Sequence, residues 1–334
     1  MADAPLVSVV IPAYNADATL DETLRSVRSQ THQALEIIVV DDGSTDDTGA
    51  IAARHAEVDD RIQIVRQDNA GLAAARNQGW RRARADLIAF LDADDLWAPT
   101  TIERQVHAFQ AGEQDTGLAY CWSVRIDSQS IITGVWEGSR LGGCVLEPIL
   151  AGNFVGNGSA SMVRRQALID AEGFDSGLRA AGAEGCEDWL TLCRVAEKYG
   201  YACVPEHLIG YRYLPNNMSS NRPRMLRSWL LAHEEMLARQ PDHGNALKRG
   251  VRNYGGRLVQ DALSFKGIRQ VPPLLLLLFR RYPSIAATVL LNDIPAALIG
   301  KARARLRRPH RDQTRSAAAE HGQRFVIGNP DTCR

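Results

Sequence analysis

The residues best suited to chemistry are carboxylates at the ends of apolar runs. Asp92-Ala93-Asp94 follows Leu87–Leu91 (LIAFL). Two carboxylates two residues apart, just past a strand, can aim oxygens at one hard cation. Oxygen ligands suit Mg2+ or Mn2+, which in turn bridges phosphate oxygens. The competing reading is a capped turn entering the next helix. Asp41-Asp42-Gly43-Ser44 closes the run Glu36–Val40. An aspartate there can accept an imide N–H from a nucleotide base, or cap a turn. Tyr14, in Pro12-Ala13-Tyr14-Asn15, could lie on a planar base or fill a rim. Glu187-Asp188 opens a helical pattern after Gly182–Gly185. A carboxylate there is either an N-cap or a general base for an incoming hydroxyl, and the residues alone leave both open.

These groups need elements to position them. Val7–Ile11 is a β-branched run. Thr19 and Glu22 have the spacing of a capping box, and Leu20, Leu24 and Val27 follow at helical intervals. Glu36–Val40 reads as a buried strand, with a helix starting near Ser44–Asp47. Arg61–Arg66 reads as a strand, Ala70–Arg84 as a helix and Leu87–Leu91 as a fourth strand. Ile102, Val106 and Phe109 mark another helix. Repeated βαβ units predict an α/β fold with a mostly parallel sheet covered on both faces. Ligands bind such sheets beyond the carboxyl ends of the strands, where three polar clusters fall. Further on, Leu118–Val124 and Ser159–Val163 read as strands. Residues 133–158 read as loops over the site, and Asp188–Tyr199 as a helix. After Pro223 the pattern is helical to about residue 308, and 309–334 reads as a loose tail.

Composition narrows the classes. The 334 residues carry 39 basic and 39 acidic side chains, but unevenly. Residues 1–220 hold 31 acidic and 18 basic residues; residues 221–334 hold 8 and 21. That asymmetry fits a metal-using body with a basic extension. Six scattered cysteines without a CxxC pair argue against a disulfide framework or structural zinc, making a reducing cytosol the default. The first six residues lack the pattern of a secretory signal, and no run of about 20 apolar residues predicts a transmembrane helix. No GxGxxG follows the first strand, which disfavours a dinucleotide oxidoreductase.

VSVVIPAYN (7–15), EIIVVDDGSTDDT (36–48), NAGLAAARNQGW (69–80) and LIAFLDADDLW (87–97) together closely resemble the family 2 glycosyltransferases of the GT-A fold. A weaker likeness continues through NGSASMVRRQALIDAEGFD (157–175), GCEDWLTL (185–192) and YRYLPNNMS (211–219), so it covers roughly residues 5–220. The resemblance implies a catalytic domain over 1–220, with a nucleotide-sugar half over about 5–115 and an acceptor half over 116–220. A helical basic extension (221–310) and a flexible tail (311–334) follow. It implies that Pro12, Tyr14 and Asp42 bind the base and ribose, and that Asp92 and Asp94 form the Asp-x-Asp metal motif, with Asp94 the direct ligand of Mn2+ or Mg2+. Arg76 either buttresses the donor site or lies on a helix surface. Asp188 matches the catalytic base. Leu214 stands where many members have a histidine, so diphosphate contacts must come from elsewhere, such as Arg212 or the 215–220 loop.

The implied reaction is inverting transfer of a sugar, most readily from a UDP-sugar, to a hydroxyl of a glycan or lipid-linked acceptor in polysaccharide or glycoconjugate synthesis. The rival readings are a sugar nucleotidyltransferase and an inactive glycosyltransferase-like scaffold. No Gly-rich, Lys-bearing triphosphate loop near residue 12 supports the former. Lys301, Arg303, Arg305, Arg307, Arg308, Arg311 and Arg315 follow a leucine-rich stretch. That arrangement predicts peripheral contact of 271–315 with anionic lipid on a cytoplasmic face; a solvated helix face or a packed helical subdomain is the alternative. No motif accompanies the charge to suggest nucleic acid.

Overall fold

In the computed structural model, residues 4–214, 217–263, 267–299 and 321–328 are described. The strands β1 (Val7–Ala13) and β2 (Leu35–Asp41) are buried along their whole length. That is the signature of central strands covered on both faces. β3 (Ile62–Arg66) and β4 (Leu87–Phe90) complete a parallel group in the order β3-β2-β1-β4. The chain moves outward from β1 to β3, then crosses back to β4 on the other side of β1. The switch point therefore lies between the ends of β1 and β4, where ligand crevices form.

Beyond β4 the sheet becomes mixed. It continues through β8 (Ser161–Arg164), β6 (Thr116–Ile126), β9 (Gly200–Arg212) and β5 (Leu96–Trp97), with β7 (Ile132–Gly134) beside β6. β8 runs antiparallel to both β4 and β6, whereas β6 and β9 are parallel. The helices α1 (Leu20–Arg28), α2 (Thr48–Ala56), α3 (Leu72–Arg82) and α4 (Thr101–Ala111) connect the first half. α3 lies so close to β1 that a Cβ at Gly79 would stand 2.3 Å from a Val10 methyl. The second half carries α5 (Leu146–Ala151), α6 (Arg165–Asp170), α7 (Gly177–Ala180) and α8 (Glu187–Ala196).

The helical extension comprises α9 (Arg222–Arg239), α10 (Gly244–Ala262), α11 (Val271–Arg281) and α12 (Pro283–Thr288). It shares two cores. Trp229, Met236 and Leu247 join the main core around the sheet, while Leu226, Leu258, Leu274 and Leu278 form a second core among the helices. No helix among the described residues is long and apolar enough to cross a membrane. The basic cluster 301–315 lies outside the described residues.

Three expectations change. The Thr19–Glu22 capping box does not form, because both side chains have other partners. The Thr19 hydroxyl donates to the Ala93 carbonyl at 2.9 Å, and Glu22 accepts from Ser130 and Arg212. The stretch 133–158 is not all loop, since it includes α5. The tail is not loose over 321–328. Backbone bonds join Gln323 to Ile132 and Phe325 to Ser130, and the buried Phe325 ring packs with Val124, Ile126 and Ile132. An aromatic ring removed from water in this way anchors an otherwise polar segment.

Candidate active site

A cleft of about 1020 Å³ opens along the carboxyl edge of β1 and β4. Pro12, Tyr14, Asp42, Arg76, Asp92, Asp94 and Asp188 all line it. The fold thus gathers these seven candidates into one cavity, while Arg212 does not line it.

The Asp92–Asp94 turn is held from several sides. The hydroxyls of Thr19 and Thr23 on α1 both donate to the Ala93 carbonyl. The Asp92 N–H donates to Ser159 Oγ, and that hydroxyl donates to Asp95 Oδ2 at 2.6 Å. The other Asp95 oxygen accepts from the Arg212 N–H. Asp95 is fully buried, and burial, reinforced by Asp94 and Asp92, pushes its pKa well above the usual carboxylate range. Asp95 therefore acts inward, as a tie, while Asp92 and Asp94 face the cleft.

Arg76 decides the electrostatics beneath them. It projects from α3 and is 2% exposed, so the surface-helix alternative does not apply. Its Nη2 donates to Asp92 Oδ1 at 2.7 Å, and Nη1 lies 3.6 Å from Glu187 Oε1. The guanidinium also sits 5.3 Å from the Phe174 ring centroid. Burial opposes its charge, but Asp92, Glu187 and Asp188 outweigh burial and raise its pKa. A Cβ at Gly158 would stand 2.5 Å from Arg76 Nη2, so that position admits the guanidinium only as glycine.

Asp188 sits in the first turn of α8. The Trp189 N–H donates to Asp188 Oδ1 at 2.7 Å. Burial, then the neighbouring Glu187, pushes the Asp188 pKa up to about 7, against the opposing pull of Arg76. A carboxylate balanced there can hold or release a proton near neutrality. Its helix is clamped to the extension. The Trp189 and Trp229 rings stack with centroids 3.9 Å apart, and Trp229 stacks on Tyr254 at 4.2 Å.

At the nucleotide end, Tyr14 is 52% exposed and free to receive a planar group. The buried Asp42 is largely satisfied internally. It accepts from Gln67 Nε2, the Ala70 N–H and the Gly71 N–H, at 2.7–2.8 Å. A carboxylate has about four acceptor positions, which leaves one for a ligand. Asp42 thus also shapes the approach to α3.

The donor set suits a hard divalent cation. The Asp94 carboxylate takes no hydrogen bond from another residue among those described, and burial together with Asp92 lifts its pKa to about 6. Such mutual repulsion is relieved by a cation. Among the described residues no group of three or more His, Cys, Asp or Glu forms a cage. The two carboxylates would therefore share the ion with substrate oxygens, as Mg2+ sites commonly do.

Residues 8–131 match the family model for glycosyl transferase family 2. An uncharacterized glycosyltransferase of Haemophilus influenzae is 30% identical over 232 residues, which span 66% of this chain and 69% of that protein. The chain belongs to glycosyl transferase family 2. TuaG of Bacillus subtilis, named for teichuronic acid biosynthesis, is 44% identical over 103 residues, 30% of this chain and 41% of TuaG. The match thus spans under half the length of that relative. Among solved structures, Staphylococcus aureus TarS superposes with a TM-score of 0.62 at 17% identity, over 90% of this chain and 53% of TarS. Mannosyltransferase PcManGT of Pyrobaculum calidifontis, solved with GDP-Man and Mn2+, gives 0.57 at 20%, over 91% and 81%. These likenesses establish a glycosyltransferase fold.

Within this family 2 chain, Arg212 is not available for a diphosphate. It is 1% exposed. Its Nε donates to the Asp94 carbonyl, Nη1 to the Asp127 carbonyl and Nη2 to Glu22. It is a tie between β9, α1 and the Asp-x-Asp turn. Leu214, Asn217, Met218 and Ser219 do line the cleft, while residues 215 and 216 lie outside the described residues. Sequence reasoning missed Ser159, and also Trp229, Tyr254 and Arg257 from the extension, which line the cleft or support it. Ser159 lay within a recognised motif, but nothing in the spacing tied it to Asp92. The extension residues sit in a helical pattern that reads as ordinary packing.

Proposed function

We propose that the protein is an inverting glycosyltransferase that moves a sugar from a UDP-sugar to a hydroxyl of a glycan or lipid-linked acceptor. The observation that carries this reading is the convergence of Asp188 with the Asp92–Asp94 pair on one cleft. Tyr14 and Pro12 receive the base, and Asp42 offers it one remaining acceptor position. Asp188 takes the proton from the acceptor hydroxyl. The freed oxygen attacks the anomeric carbon as the bond to the nucleoside diphosphate breaks on the opposite face. Mn2+ or Mg2+ on Asp92 and Asp94 would supply Lewis-acid neutralisation of the leaving diphosphate. Arg76 holds Asp92 in place through its 2.7 Å bond. This assigns residues 1–220 to catalysis, with donor and acceptor halves meeting at the cleft, and 221–310 to support and acceptor delivery. Synthesis of a surface polysaccharide or glycoconjugate fits this chemistry and the relatives' names.

Peripheral contact with an anionic membrane is part of the same proposal. Leu276 and Phe279 on α11, with Leu290 and Leu291 beyond it, are exposed, and Arg269 and Arg280 lie nearby in sequence. An apolar face with adjacent cations favours an anionic interface on the cytoplasmic side.

The test is calorimetric titration of UDP with and without Mn2+, followed by transfer assays on a panel of UDP- and GDP-sugars. Metal-dependent UDP binding with sugar transfer is expected. Preference for a nucleoside triphosphate and consumption of a sugar phosphate would favour the nucleotidyltransferase reading. Binding without turnover on any donor would favour the scaffold.

A further inference from the structure

Four arginines line the cleft, and two of them are already committed. Arg76 is paired with Asp92 and Glu187, and Arg179 lies 3.8 Å from Glu184. Arg125 on β6 and Arg257 on α10 differ. Both are exposed, and neither forms an ion pair among the described residues. Each is held on aromatic faces instead. Arg257 Cζ stands 5.3 Å from the Tyr254 centroid, and Arg125 Cζ stands 4.8 Å from Tyr213 and 5.7 Å from Trp136. An arginine stacked on a ring keeps its planar fork fixed while its charge and in-plane donors remain available.

What carries Arg257 sets it apart from the Asp92–Asp94 turn. Asp188 precedes Trp189, whose ring stacks on Trp229; Trp229 stacks on Tyr254, and Tyr254 carries Arg257. The Tyr254 hydroxyl also lies 3.9 Å from Cys186 Sγ, two residues before the base. Arg257 is thus built onto the wall that presents Asp188, not onto the Asp92–Asp94 turn. Arg125 belongs to β6, in the half expected to hold the acceptor. The other two arginines of the cleft, Arg76 and Arg179, already face carboxylates, so among the described residues Arg257 and Arg125 are the cleft arginines left to offset an anion's charge.

We propose that the acceptor carries a negative charge, a carboxylate or a phosphate, received by Arg257 and Arg125. This rests on the glycosyltransferase reading and adds the class of acceptor.

The full chain, loaded with UDP and Mn2+, should be titrated with three probes: a hexuronic acid disaccharide, a phosphorylated disaccharide and the neutral disaccharide of the same linkage. At least one anionic probe is expected to bind about tenfold more tightly than the neutral one, with the advantage falling as salt rises. Which anionic probe wins identifies the source of the charge. Arg257→Gln and Arg125→Gln, both at exposed positions, should erase the preference and leave UDP affinity unchanged. Equal binding of all three probes, or a preference that survives in the double variant, would overturn the proposal. So would a loss of UDP affinity in the variants, which would assign the arginines to the donor. If the wild type fails to bind UDP, the glycosyltransferase reading falls; the same titration without UDP still decides the anion preference.

Discussion

The buried Arg76 bonds the partly exposed Asp92 at 2.7 Å, between α3 and the turn after β4. The same guanidinium faces Glu187 on α8, so one cation ties the proposed metal turn to the helix of the proposed base. Removing it would leave carboxylates facing one another in a buried space. We therefore expect Arg76→Met to destabilise the protein by about 3–5 kcal/mol, the usual cost of breaking one side of a buried pair. Urea unfolding would measure this, and a change under about 1 kcal/mol would contradict the linking role.

Asp188→Asn should lose about 10²–10⁴-fold in turnover, the range of a general base, while UDP affinity is kept. Transfer at near wild-type rate would remove Asp188 from the mechanism.

The Asp188 pKa of about 7 sets a pH dependence. A base must be deprotonated, so kcat/KM should climb with pH to a plateau, with its midpoint near 7. A profile already flat from pH 5 upward would refute this. Stability carries the opposite sign. Because the folded-state pKa is raised, this group's stabilising contribution is complete below its unfolded value near 3.8 and is lost as pH rises through about 7. Asp188→Asn should accordingly melt higher than wild type at pH 8, and the gap should close at pH 4.

Chelation with EDTA should abolish transfer, and Mn2+ or Mg2+ should restore it. Asp94→Asn should weaken metal-dependent UDP binding by roughly tenfold or more, since it removes one of the two carboxylate charges offered to the ion. Full activity in metal-free buffer would dispose of the Asp92–Asp94 assignment.

For the membrane face, the full chain should float with vesicles containing phosphatidylserine and detach in high salt. Leu276→Asp with Phe279→Asp should reduce flotation several-fold, because both side chains are exposed and add nothing to either core. Equal flotation of wild type and variant would place the contact elsewhere.

Much of the fold was readable because burial leaves a local imprint. VSVVIPA and LEIIVVD are buried throughout and mostly apolar, as strands covered on both faces must be, and polar turns follow them where a parallel sheet opens its crevice. The proposed site residues lay at those ends, so Asp42, Asp92 and Asp94 were visible before any packing was known. Asp188 needed family likeness, since a carboxylate in the first turn of a helix has a commoner use.

Tertiary structure decided what each charged residue faces. An arginine in an Ala-rich helix reads the same whether it points to solvent or beneath an aspartate, and only the packing of α3 on β1, with Gly158, Phe174 and Glu187 closing over the guanidinium, buried Arg76. Arg212 looked free to meet a diphosphate until β9 brought it against Asp94, Asp127 and Glu22. The tail looked polar and loose, yet Phe325 closes a small core beside β7. The sequence by itself determined the α/β order, the acidic strand ends and the family. Which arginines are spent on internal pairs, and that α9 and α10 wall the cleft, depended on contacts between residues far apart in the chain. Such contacts follow from packing and charge pairing across the whole molecule and leave no local periodicity to read.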